Sequence, residues 1–140
     1  MPKIILDTNV FFSAFINPSG APAQILKHWI SKDFTLIYSE EIIEEYLETL
    51  TQDLFSVEDI ENFYELVSVR AEKVLSTQKV TAVPDDPDDD KFISCALSGK
   101  ADYIVSGDKH LLKMKQYAGT RRVTVKEFLD ILDSLKKENL

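Results

Sequence analysis

Acidic side chains recur at four places where folding can bring them together. Asp7 follows the apolar run KIIL, and Asp108 comes three residues after the apolar run YIV ends. Between them lie a glutamate-rich segment, residues 40–48, and the run PDDPDDD at residues 84–90. Two unit charges about 4 Å apart repel by roughly 4 kcal/mol at an effective dielectric near 20. Such a cluster must protonate, spread into water, or hold a cation.

A cation held only by carboxylate oxygens is typically Mg²⁺ or Mn²⁺, because zinc prefers histidine and cysteine. Mg²⁺ keeps several waters and often bridges protein carboxylates to phosphate oxygens. One or two such ions can activate a water and stabilise the charge that develops on a phosphodiester during in-line displacement. The acidic pattern therefore indicates phosphodiester hydrolysis.

The elements that must position these acids follow from the apolar pattern. Residues 4–6 and 103–106 read as buried strands, so Asp7 and Asp108 come at or just beyond the carboxyl ends of two strands. In open α/β sheets this edge binds ligands, especially where the strand order reverses. Strands alternate with amphipathic helices along the chain, which predicts βαβ units and a parallel sheet. The fold class expected is α/β.

Composition sets limits on the kind of protein. A chain of 140 residues predicts a single domain spanning residues 1–140, and a net charge of −8 argues against nonspecific coating of nucleic acid. The only cysteine cannot form an internal disulfide. We see no signal peptide, and Pro18, Gly20 and Pro22 interrupt the uncharged stretch 8–26, which argues against a membrane span. The expected location is cytoplasmic.

Four segments together resemble a known family. The runs LDTNVFFSA, SEEIIEEY, DPDDDKFISCAL and ADYIVSGDKHLL, in this order, are similar to those of PIN-domain ribonucleases. The closest likeness is to the small bacterial subfamily of toxins from toxin-antitoxin systems, related to the VapC type. The resemblance spans nearly the whole chain. It implies a three-layer α/β/α sandwich with a mostly parallel five-stranded sheet, and metal-dependent cleavage of single-stranded RNA.

The resemblance also implies roles for individual residues. Asp7 matches the first acid of the family, Glu45 the acid on a helix, and Asp108 the fourth acid. Asn9 and Ser106 match polar residues that orient these carboxylates. The site would hold Mg²⁺ or Mn²⁺, with Glu45 either binding a second ion or orienting the attacking water.

The third acid has three candidates in the run PDDPDDD. Asp89 is the first choice because it keeps the usual spacing to the small residue Ala96, and Asp86 and Asp90 are second choices. The number of metal ions, one or two, is left open.

Other chemically active side chains receive simpler interpretations. Cys95 is interpreted as a small buried residue and His28 as part of a helix surface. No acid occurs between Asp108 and Glu127, so this stretch is basic and predicts contact with a phosphate backbone. The candidate RNA-binding residues are Lys109, His110, Lys113 and Lys115.

The partners expected are an RNA substrate, a cognate antitoxin protein and a second copy of the chain. Two other functions compete with the nuclease. One is a non-catalytic PIN scaffold that binds proteins. The other is a phosphatase that forms an aspartyl-phosphate at Asp7, which is disfavoured because Asn9 stands where such sites usually carry a second acid.

Overall fold

The computed structural model describes residues 1–52, 55–76, 90–107, 116–117 and 119–138. Strands and helices alternate through these residues. The strands are β1 (Lys3–Leu6), β2 (Thr35–Tyr38), β3 (Glu72–Lys73), β4 (Tyr103–Val105), β5 (Gln116–Tyr117) and β6 (Thr120–Val123). The helices are α1 (Thr8–Ile16), α2 (Ala21–Ile30), α3 (Glu40–Thr51), α4 (Val57–Arg70), α5 (Asp90–Gly99) and α6 (Val125–Glu138). None of these helices is long and apolar enough to cross a membrane.

The strands form one sheet in the order β3-β2-β1-β4-β6-β5. Every pairing from β3 to β6 is parallel, and the two-residue strand β5 adds to β6 in the antiparallel sense. The predicted five-stranded, mostly parallel sheet is therefore confirmed, with β5 as a short addition at its edge. The sequence also predicts a short helix through Leu111, Leu112 and Met114, but these residues lie outside the described ones.

The central strands are buried on both faces. Ile4, Ile5 and Leu6 have no exposed surface, although successive side chains of a strand point to opposite faces. Helices must therefore cover both faces of the sheet, which gives the predicted α/β/α sandwich. Phe11 of α1 is central to one part of the core, where its ring meets those of Phe15, Trp29, Tyr46 and Phe63.

The sequence predicts helix starts at Ser39, at Ser56 and at the pair Thr124 and Glu127, and side-chain hydrogen bonds confirm all three. Ser39 Oγ accepts from the Ile42 amide at the start of α3. Ser56 with Asp59 forms a full capping box at the start of α4. Thr124 with Glu127 forms the expected box before α6, with both hydrogen bonds at 3.1 Å.

Helix α5 ends at Gly99, and a glycine at this point of the sequence predicts a helix end. Lys100, the next residue, adopts the left-handed conformation, with φ of 54°. Gly99 is also needed for packing. A Cβ there would lie 2.7 Å from the Ile37 side chain and 2.9 Å from that of Val74. Close packing of α5 on the sheet therefore requires the glycine.

Candidate active site at the carboxyl ends of β1 and β4

The strand order reverses between β1 and β4. The chain proceeds from β1 to β2 and β3 on one side, then returns to place β4 on the other side of β1. Leu6 and Val105 are register partners at the carboxyl ends of these two strands, and the next residues are Asp7 and Ser106. The Asp7 amide donates to the Val105 carbonyl over 2.9 Å. The first candidate acid thus stands at the topological switch point, where α/β sheets bind ligands.

The Asp7 carboxylate is buried and held at both oxygens. Asp7 is only 7% exposed. Its Oδ2 accepts a 3.0 Å hydrogen bond from the hydroxyl of Ser106, a residue that is 1% exposed. Oδ1 accepts from the Asn9 backbone amide over 3.4 Å, so Asp7 is also the N-cap of α1. The contact from Asn9 comes from its main chain, and the residue itself is exposed. Ser106 therefore restricts the rotamer of Asp7 directly.

Glu45 is the glutamate of α3 that turns toward the end of β1. Its Oε2 accepts from the hydroxyl of Thr8, the residue after Asp7, and its Oε1 lies 2.9 Å from Lys91 Nζ. Glu44 and Glu48, beside it in the sequence, are exposed. Glu45 is therefore not part of a solvated helix face.

Tyr46 fixes α3 against the end of β1. Its hydroxyl donates to the main-chain carbonyl of Leu6, the residue before Asp7. Burial raises the pKa of Tyr46 well above its ordinary value, and the nearby negative charges of Asp7 and Glu45 raise this pKa further. The phenol stays protonated and keeps donating, so the helix that carries Glu45 is tied to the strand that carries Asp7.

These contacts define what we call the switch-point site, which consists of Asp7, Thr8, Glu45, Lys91 and Ser106. The groups it offers to a cation are carboxylate and hydroxyl oxygens, a donor set that suits Mg²⁺ or Mn²⁺. Within the part of the chain that the structure describes, no three acidic, histidine or cysteine side chains form a metal-binding group by themselves. The carboxylates that the switch-point site offers are those of Asp7 and Glu45.

Of the other predicted acids, only Asp90 is among the described residues. Asp90 is the first residue of α5 and is half-buried. Asp86, Asp89 and Asp108 lie outside the described residues, so the choice of Asp89 as the third acid stays a prediction. The four candidate RNA-binding residues, Lys109, His110, Lys113 and Lys115, also lie outside them.

Sequence reasoning missed two members of the site. Neither Thr8 nor Lys91 was singled out from the sequence as a site residue. One signal for Lys91 was available, since a cation in the first turn of a helix opposes the helix dipole and so needs another reason to be there. Thr8 gave no comparable signal, because its role depends on where α3 packs.

Two residues with reactive side chains, His28 and Cys95, are not part of the switch-point site. His28 Nδ1 pairs with Asp33 Oδ2 over 2.7 Å, just before the amino end of β2 and so at the opposite edge of the sheet. Cys95 is fully buried in α5, and burial raises the pKa of its thiol to about 12. The prediction that Cys95 is a small buried residue is confirmed.

Comparison with known proteins shows the family. The family model described as PIN domain matches residues 3–110. This chain therefore belongs to the PIN domain family, whose members are generally nucleases. The match includes every residue of the switch-point site.

A relative and a solved structure agree with this result. An uncharacterized protein of Methanocaldococcus jannaschii is 33% identical over 121 residues, covering 81% of this chain and 75% of that protein. The fold resembles that of a chain in the crystal structure of VapBC2 from Rickettsia felis bound to a DNA fragment from their promoter. That similarity has a TM-score of 0.59 at 14% sequence identity and covers 87% of this chain and 98% of the other. It confirms the fold.

Cys95 should be inert to thiol reagents in the folded protein. A pKa of about 12, against an ordinary 9.0, leaves roughly a thousandfold less thiolate at pH 8. We expect labelling by a disulfide reagent at pH 8 to be at least that much slower in the native protein than in guanidinium. The labelling rate should rise about tenfold per pH unit between pH 8 and 10. Stoichiometric reaction of the native protein within minutes at pH 8 would show that the thiol is activated.

Proposed function

We propose that this protein is a Mg²⁺- or Mn²⁺-dependent endoribonuclease that cleaves single-stranded RNA, and that it acts as the toxin of a type II toxin-antitoxin pair. The observation that carries the proposal is the buried carboxylate of Asp7 at the switch point, held by Ser106 and adjoining Glu45 through Thr8. Membership of a family of nucleases supports the same reaction class.

Each acid would have a definite part in holding the cation. Asp7, Asp89 and Asp108 would ligate it directly or through water, and Glu45 would hold a second ion or orient the attacking water. The bound ion would supply an activated water and stabilise the negative charge that develops on the phosphodiester. Asp86 and Asp90 remain the alternatives for the third acid.

The protein's own contribution is to hold these oxygens before RNA arrives. Ser106 donates to one oxygen of Asp7 and the Asn9 amide to the other, so the carboxylate enters the reaction already oriented. Thr8 does the same for Glu45. Both carboxylates therefore have little conformational freedom left to lose, which lowers the entropic cost of binding the cation.

RNA would reach this acidic centre through its phosphate backbone. The protein carries a net charge of −8, so favourable binding needs local positive charge as well as the metal ions. Lys109, His110, Lys113 and Lys115 are proposed to supply it, since they follow Asp108 in the sequence. Their role stays a prediction.

Metal-dependent cleavage is the test of the catalytic proposal. A fluorescent, unstructured RNA should be cut in the presence of Mn²⁺ or Mg²⁺ and remain intact in EDTA. Asp7→Asn should slow cleavage at least about a hundredfold, because it removes an anionic ligand that the site has positioned. Circular dichroism should show that the variant still folds.

A matched substitution controls for general effects of removing an aspartate. Asp33→Asn makes the same chemical change at another partly buried position, but at the opposite edge of the sheet. This variant should keep cleavage close to wild type. Cleavage that persists in EDTA would contradict the metal mechanism, and a folded protein with no cleavage of any RNA would favour the non-catalytic scaffold.

An apolar groove supports the proposal of an antitoxin partner. It has a volume of about 380 Å³ and lies among α1, α3 and α4. Its apolar lining consists of Phe15, Leu50, Phe55, Ile60, Phe63 and Leu66. The solved structure with a similar fold is of VapBC2, so we propose that the antitoxin covers this groove. A second copy of the chain is the competing occupant.

Binding of the product of a neighbouring reading frame tests the partner proposal. Leu66→Glu places a charge in the groove and should weaken the complex at least about tenfold, measured by titration of the purified proteins. Val69→Glu, on the same helix but 75% exposed and not among the lining residues, should leave affinity unchanged. If wild type, Leu66→Glu and Val69→Glu bind the partner with equal affinity, the groove is not part of the interface. If the protein forms a homodimer that only Leu66→Glu disrupts, a second copy of the chain occupies the groove.

A further inference from the structure

Lys91 forms an ion pair with Glu45 of α3 that is unlike a second lysine–glutamate pair on this helix. Its Nζ lies 2.9 Å from Glu45 Oε1, and the two side chains are only 21% and 24% exposed. Lys73 pairs with Glu40 on the same helix, where the exposed fractions are 57% and 60%. Exposed pairs contribute little to stability, and screening by water and salt weakens them. The Lys91 pair is less exposed to such screening.

The position of Lys91 on its helix makes a purely structural role unfavourable. It is the second residue of α5, where the unpaired amides of the helix already create a partial positive charge. A lysine there opposes the dipole, and placing its ammonium in a partly desolvated pocket costs more free energy. The compensating partner is Glu45, which the proposed function assigns to the cation site.

We propose that Lys91 is the built-in counter-ion of Glu45 and that it competes there with a divalent cation, so that Lys91 sets how tightly the site takes metal. This inference rests on the proposed function. When no cation is bound there, Lys91 would neutralise Glu45, whose other carboxylate oxygen accepts from Thr8, the residue after Asp7. A cation that binds at Glu45 must then share this carboxylate with an ammonium group or displace it.

The size of the competition follows from the geometry. An ion about 2.1 Å from Glu45 Oε1 lies within about 5 Å of Lys91 Nζ in its present position, given the 2.9 Å ion pair. Even with the dielectric of bulk water, repulsion between a unit charge and a divalent ion at that distance weakens binding by roughly tenfold, and a partly buried site increases the factor. Loss of Lys91 would not release Glu45, because Thr8 still holds Oε2.

Titration of the full-length protein with MnCl₂ by isothermal calorimetry, after removal of metal with EDTA, tests this inference. Lys91→Met should bind Mn²⁺ at least about tenfold more tightly than wild type at low ionic strength, and the gain should shrink as salt is added. Lys91→Gln should also raise the affinity for Mn²⁺, and it replaces Lys91→Met in this test if the Met variant folds poorly. Lys91→Arg keeps the charge and should stay near the wild-type affinity.

Two further variants separate this effect from general electrostatics. Lys73→Met removes the same charge from a pair on the same helix and should change Mn²⁺ affinity by less than about threefold. In a Glu45→Gln background, Lys91→Met should give much less gain, because an ion that is no longer bound at residue 45 would lie farther from residue 91. Equal gains in both backgrounds would mean that Lys91 does not act through Glu45.

The inference and the proposed function fail in different ways. Mn²⁺ affinity that is unchanged or weaker in both Lys91→Met and Lys91→Gln, while wild type binds Mn²⁺ and cleaves RNA, overturns the counter-ion competition and leaves the nuclease proposal intact. Absence of Mn²⁺ binding in wild type and in both Lys91 variants overturns the metal site itself, and the competition with it.

Discussion

The carboxylate of Asp7 is buried at the junction of β1, β4 and α1, and much of the structure serves to satisfy it. A buried charge without partners is costly, so its surroundings must provide hydrogen bonds. The Ser106 hydroxyl at the end of β4 provides one and the Asn9 amide of α1 another, while the Asp7 amide joins the Val105 carbonyl. The parallel pairing of β1 with β4 brings these groups together. Strand register thus determines the geometry of the site.

A second constraint connects α3 to the same junction. Tyr46 is fully buried and its raised pKa keeps the phenol neutral, so it remains a donor to the Leu6 carbonyl. That hydrogen bond fixes the position of α3 against the sheet. Glu45 directly precedes Tyr46, so the same hydrogen bond helps to position Glu45. Thr8 and Lys91 then fix the Glu45 carboxylate from two sides. The helix supplies an acid whose position depends on the core.

The sequence was sufficient for the features that depend on local chemistry. Apolar runs predicted the central strands, because a strand covered on both faces needs apolar side chains at successive positions. Ser39, Ser56 and Thr124 predicted helix starts because their hydroxyls accept from free amides. The strand-end position of Asp7 followed from the same pattern.

Features that depend on tertiary packing were less accessible from the sequence. Periodicity could not distinguish Glu45 from its acidic neighbours, and only the family resemblance selected it. Lys91 was missed because its partner is 46 positions away in the chain, and no local rule joins them. Gly99 was predicted to end α5 and does so, but its close approach to the side chains of Ile37 and Val74 could not be read from the sequence. The choice among the acids of residues 84–90 rests on the family resemblance and on spacing.

The most direct test of the central claim is the thermal shift that Mn²⁺ produces in wild type compared with Asp7→Asn. A ligand at 100 times its dissociation constant stabilises the folded state by about 2.7 kcal/mol, which corresponds to roughly 8 °C for a chain of this size. We expect a shift of about this size in wild type and in Asp33→Asn, and little or no shift in Asp7→Asn. An equal shift in wild type and Asp7→Asn would contradict the claim that Asp7 holds the metal.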